Sequence, residues 1–154
     1  MGTNRTYKQS DAKVTFILET LEKWQQTSGQ GGVLMDGSLP FYSADGSPHQ
    51  VDAGWIPEHA WSQRTLSNGQ RQPCLTPSFA VKVTSADEPE FSRNHAEMVN
   101  LRDQGCQLGW LIEPTAEYVY VFQPGYPVHQ IPTFDYYIDG RGVLQGFEFP
   151  LRCL

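Results

Sequence analysis

The chain has 154 residues, of which 39% are hydrophobic and 18% charged, the size and make-up of a single domain able to bury its own core. A formal net charge of −6 counts against tight, non-specific gripping of nucleic-acid phosphates, but leaves room for a local cationic patch or a carboxylate cluster that takes a metal ion first. The apolar runs fall short of the ~20 residues of a membrane span, the stretch Met1-Gly2-Thr3-Asn4-Arg5-Thr6 has no apolar core of a secretory signal, and Cys74, Cys106 and Cys153 form no C-x-x-C pair, which points to reduced thiols in a cytoplasmic protein.

In chain order, Val14, Ile17, Leu18, Leu21 and Trp24 recur at helical spacing and predict a helix from Asp11 to Gln26, stopped by the glycine-rich run Gly29 to Gly32. Short β-like runs follow at Val33–Met35 and Leu39–Tyr42, with Ala44–Ser47 as a turn and Val51–Ile56 as the next strand. Residues Pro57 to Pro77 read as an excursion with one helical turn near His59 to Arg64. Phe79–Thr84 is the best strand candidate, and a helix follows from Pro89 to Gln104, capped by Asp87 or Glu88 and ended by Gly105. Leu108–Ile112 is apolar throughout and should be covered on both faces. Tyr118–Phe122 is another strand, and Val128 to Leu154 reads as short strands and loops with a turn at Asp139-Gly140. The strand–helix–strand unit from Phe79 to Ile112 predicts a right-handed crossover in a mixed sheet.

Several of these segments resemble, in order, a bacterial family of Uma-type restriction endonucleases with the PD-(D/E)XK nuclease fold. Asp11-Ala12-Lys13-Val14-Thr15 looks like the family's first helix, and Phe41 to Gly46 like the strand and turn before its aspartate. Val51-Asp52-Ala53-Gly54-Trp55-Ile56 is similar to its Pro-Asp-Val-x-Trp-Ile, and Pro77 to Ser85 to its Pro-Asp-Phe-Val-Val-Glu-x-x-Ser. Leu108-Gly109-Trp110-Leu111-Ile112-Glu113-Pro114 is similar to Leu-Gly-Trp-Leu-Ile-Asp-Pro, and Val143 to Glu148 to the closing segment. The resemblance covers almost the whole chain and implies one α/β domain over residues 1–154: a restriction-endonuclease-like mixed sheet flanked by helices, trimmed at its N-terminal edge. Two departures stand out. Lys82 occupies the position of the family's strand glutamate, and Glu97 that of its helix lysine. Ser78 replaces a further aspartate.

The implied function is metal-dependent DNA endonuclease chemistry. Carboxylates would hold Mg²⁺ or Mn²⁺, which activates a water and polarises the phosphate, while a lysine orients that water. The resemblance gives Asp52 and Glu97 as metal ligands and Asp52, Lys82 and Glu97 as catalytic residues, the acid and the lysine having changed places. The opposing reading is a Lys82–Glu97 salt bridge in a nuclease-fold protein that has lost catalysis and acts as a binding or oligomeric module. A structural α/β interaction module without a nucleic-acid role is the third. DNA and a second copy of the chain are the expected partners, with no membrane. Glu19 and Glu22 read as solvated helix charge, although one could be an accessory ligand. His49, His59, His95 and His129 lack zinc-motif spacing and read as surface or packing residues; Trp55, Trp110, Phe122, Phe147 and the tyrosines read as core.

Overall fold

The computed structural model describes residues 3–38, 41–42, 48–62 and 76–154. Helix α1 (Thr3–Ser28) extends eight residues upstream of its predicted start, and the apolar stripe fixes only its docked half. Ile17, Leu21 and Trp24 are buried there, so the pattern that predicted the helix marks where it touches the sheet. The helix ends where Gly29 takes φ +73° and donates its N–H to the Gln25 carbonyl at 3.1 Å, a conformation that glycine enters without steric cost.

The central sheet has six strands in the order β1-β4-β5-β6-β7-β8. These are β1 (Gly32–Asp36), β4 (Ala53–Pro57), β5 (Phe79–Val83), β6 (Leu108–Glu113), β7 (Tyr118–Phe122) and β8 (His129–Ile131). Strands β2 (Phe41–Tyr42) and β3 (Pro48–His49) form a small antiparallel ladder, as do β9 (Tyr137–Asp139) and β10 (Glu148–Pro150). Asp139 thus lies within a strand, and the turn starts only at Gly140. The predicted turn at Ala44–Ser47 lies outside the described residues, as do Leu39 and Pro40. Helix α2 (Glu58–Ser62) is the single turn expected in the excursion, of which residues 63–75 lie outside the described residues.

Strands β5 and β6 run parallel, joined through α3 (Glu90–Asp103); the other neighbours in the main sheet are antiparallel. This is the mixed sheet flanked by helices that the sequence implied. Pro89 itself occupies the N-cap of α3 and makes no side-chain capping bond, in place of the cap expected from Asp87 or Glu88. Every residue of β6 is buried, which explains its continuous apolar run: α1 covers one face and α3 the other. The α1 side holds the larger core, with Trp24, Trp55, Phe79, Trp110, Phe147 and Phe149 packed together. Phe79 and Trp110 meet edge to face, with ring centroids 4.7 Å apart. The α3 side is smaller, built on Val51, Ala80, Met98, Leu101, Leu111 and Phe122. No helix among the described residues is long and apolar enough to cross a membrane.

Candidate active site

Strand β5 alternates its side chains between the two layers: Phe79 and Val81 enter the α1 core, whereas Ala80 joins the α3 core and Lys82, two residues on, follows it to that side. Lys82 is half-buried at the strand's end, where the apolar layer gives way to polar side chains. Its amine donates to Asn94 Oδ1 on α3 at 3.4 Å, a long hydrogen bond that spends one of three ammonium protons.

Asp52 precedes β4 and is stitched to β5 twice. Its N–H donates to the Val81 carbonyl at 2.9 Å, and its Oδ2 accepts the Val83 N–H at 2.7 Å. The carboxylate thus stands in for a backbone carbonyl where the β4–β5 ladder ends. Two carboxylate oxygens offer about four acceptor positions, so this bond alone does not exhaust the group.

A cleft of about 570 Å³ opens at this end of the sheet, between Val14, Thr15 and Leu18 of α1 and the strand ends. Asp36, Asp52 and Lys82 all line it. Asp36, which sequence reasoning did not single out, closes β1, where its Cα is paired with that of Ala53, the neighbour of Asp52. Its carboxylate accepts from the Ser38 hydroxyl and, at 2.9 Å, from the Ser38 N–H; these two bonds hold its pKa below the usual carboxylate value. The signal available in sequence was its place next to Gly37-Ser38, an Asx-turn pattern that usually means nothing more than a turn.

Glu97 does not line this cleft. Its carboxylate meets Nδ1 of His49, which is 4% exposed, and this pair ties β3 to α3. The structure therefore brings Asp52 and Lys82 to one cleft, gives Lys82 a partner three residues before Glu97 on the helix, and gives Glu97 a histidine that the sequence reading left to packing. Glu97 thus does not join Asp52 and Lys82 as expected, and in place of the Lys82–Glu97 salt bridge of the opposing reading the structure shows these two separate contacts. One turn of helix separates residues 94 and 97, so which of them faces the strand lysine depends on how α3 is rotated on the sheet.

For a metal ion, the useful donors are the two cleft carboxylates. Mg²⁺ takes one or two protein carboxylates and keeps several waters, a demand Asp36 and Asp52 fit; no group of three His, Cys, Asp or Glu side chains that could hold an ion is found among the described residues. A second cavity of about 570 Å³ lies at the other end of β5, near Ser78, Glu58 and His59; among the described residues no lysine or arginine lines it.

A crystal structure of a protein from Anabaena variabilis ATCC 29413, described as a putative nuclease belonging to DUF820, superposes with a TM-score of 0.71 at 14% identity. The alignment covers 90% of this chain and 75% of that one, and at such identity it speaks for the fold. Curated proteins give no match. The sequence itself matches a described family over residues 4–152, almost end to end, and the nuclease-like fold agrees with that match: the chain belongs to the Uma2 family, "Putative restriction endonuclease".

Proposed function

We propose that this protein is a metal-dependent DNA endonuclease whose site is the cleft between α1 and the strand ends. The observation that carries the reading is that Asp36, Asp52 and Lys82, two acidic residues and one basic residue, line a single cleft. This is the charge composition that phosphodiester hydrolysis requires, assembled without Glu97. Asp36 and Asp52 would hold Mg²⁺ or Mn²⁺, which supplies an activated water and polarises a phosphate oxygen. Asp52 is held in place by the Val83 N–H, and Asp36 is held and kept below the usual carboxylate pKa by Ser38. Lys82 keeps two ammonium protons beyond its bond to Asn94, enough to orient a water or to meet the phosphate oxygens as charge builds on them. DNA as substrate, action as a homodimer and a cytoplasmic location complete the proposal.

The test is cleavage of supercoiled plasmid with Mg²⁺ or Mn²⁺ against chelator, alongside calorimetry of Mn²⁺ binding. Lys82→Met is expected to slow cleavage by ~10²-fold or more while metal still binds. Asp52→Asn is expected to weaken both. Mn²⁺ affinity unchanged by Asp52→Asn would remove Asp52 from the site.

A second reading is a nuclease-fold protein that has lost hydrolysis and acts by binding. It is supported by the pairing of Glu97 with His49, which leaves the helix position without a role in the cleft. Wild-type protein that cuts no DNA with either ion, yet retards it in a gel, would select this reading.

A further inference from the structure

We propose that Asn94 is a positioning residue for Lys82, holding its ammonium at the rim of the cleft. A chain of polar side chains runs through the α3 layer. Thr84, 4% exposed, donates its hydroxyl to the Ser85 carbonyl at 2.9 Å. With its proton so placed, the hydroxyl can offer the neighbouring amide only lone pairs. Asn94, 8% exposed, therefore turns its Nδ2 to Thr84 Oγ1 at 2.9 Å and is left with Oδ1 facing the Lys82 amine. The amide has one orientation because the hydroxyl has one, and the hydroxyl has one because a backbone carbonyl fixes it.

The consequence is asymmetric. At 3.4 Å the Lys82–Asn94 bond is weak, whereas the Asn94–Thr84 bond behind it is of ordinary length and buried. Asn94 is a fixed post against which a mobile amine leans. A carboxylate at this position would trap the ammonium as an ion pair, and an apolar side chain would release it. A neutral acceptor restrains the amine and leaves its charge available to the cleft. Among the described residues this is the one hydrogen bond Lys82 makes. The functional meaning of the restraint rests on the hydrolysis reading above; the restraint itself does not.

The test uses the full chain with lysine labelled at Cε with ¹³C. The four lysines are Lys8, Lys13, Lys23 and Lys82, and the signal lost in Lys82→Met identifies Lys82. In the wild type its two ε-protons are expected to have different shifts, the signature of a held side chain. Asn94→Leu is expected to merge them and to raise the acylation rate of Lys82 several-fold, read by peptide mass spectrometry. Asn94→Asp, which keeps the acceptor, is expected to retain the splitting. Should Asn94→Leu fail to fold, Asn94→Ala takes its place with the same expectation. Equivalent protons in the wild type, or splitting that survives loss of the amide, would overturn the proposal. So would collapse in Asn94→Asp, because a purely structural asparagine would make the two substitutions alike. Cleavage measured on the same samples separates the two claims: inactive wild type with split Lys82 protons rejects the hydrolysis reading and supports the positioning one.

Discussion

Alternate residues of β5 look into two unlike layers. Phe79 and Val81 enter the α1 side, where Trp55, Trp110 and Phe147 close around them. Ala80 and Lys82 face the α3 side, where the apolar contact with Met98 and Leu101 runs out before the strand does and Asn94, Thr84 and Lys82 take over. The first layer is a place where shape decides stability. The second is a place where a small residue lets α3 come close and a polar end is left for chemistry. Gly109 shows how close: a methyl group there would sit 2.7 Å from the Met98 terminal carbon.

The contrast predicts a graded response to substitution. Phe79→Ala should be the most damaging, costing about 3–5 kcal/mol in urea unfolding, because the hole it leaves is walled by aromatic rings that cannot collapse into it. Glu97→Gln should come next, at about 1–3 kcal/mol, since it weakens the pair with a buried histidine. The reciprocal change Lys82→Glu with Glu97→Lys should be worse than Glu97→Gln, because it turns an ammonium toward His49 and brings no compensating contact at position 82. Recovery of wild-type stability by that double change would mean that the two positions communicate after all. Lys82→Met should cost about 1 kcal/mol or less, its one hydrogen bond among the described residues being long. Its effect belongs to function. A Lys82→Met protein as crippled in folding as Phe79→Ala would erase the distinction between the layers.

Two smaller effects follow from shifted ionisation. Asp36 has its carboxyl lowered below 3.8 by the Ser38 hydroxyl first and the Ser38 N–H second. Between its folded and unfolded values only the unfolded chain binds the proton, so stability should fall as pH drops through that window. Ser38→Ala should flatten this part of the acid titration. Burial pushes the Cys106 thiol from 9.0 up to about 12, so the folded protein keeps a proton there that the unfolded chain gives up. Stability should therefore decline as pH rises from about 9 toward 12. At neutral pH the exposed Cys153 should react with a thiol reagent well before the buried Cys106. Equal rates would show that the α3 layer opens easily.

Strand and helix positions were legible in the sequence wherever burial imposes a period. The five-residue stripe of α1, the unbroken apolar run of β6 and the strand at Tyr118–Phe122 all reappear at their expected positions. So did the core roles of Trp55, Trp110, Phe122 and Phe147, whereas the tyrosines, also expected in the core, include the exposed Tyr126, Tyr136 and Tyr137, whose phenolic hydroxyls let them stay in water. The first eight residues of α1 were not legible, because no apolar period marks them.

Within the site, sequence by itself determined that Asp52 and Lys82 sit at the ends of two strands, since each interrupts or precedes an apolar run whose length fixes where it falls. It could not decide which helical residue meets Lys82. Asn94 and Glu97 lie three apart, both reachable from one strand, and only the rotation and height of α3, set by Met98 and Leu101 docking beneath it, chooses Asn94. Nor could it bring Asp36 beside Asp52, sixteen positions away, or His49 to Glu97, because those meetings depend on the antiparallel pairing of β1 with β4 and on where β3 lands against α3. Periodicity is a local property that each segment carries with it; convergence of charged side chains is settled by strand register and helix docking, which belong to the assembled fold.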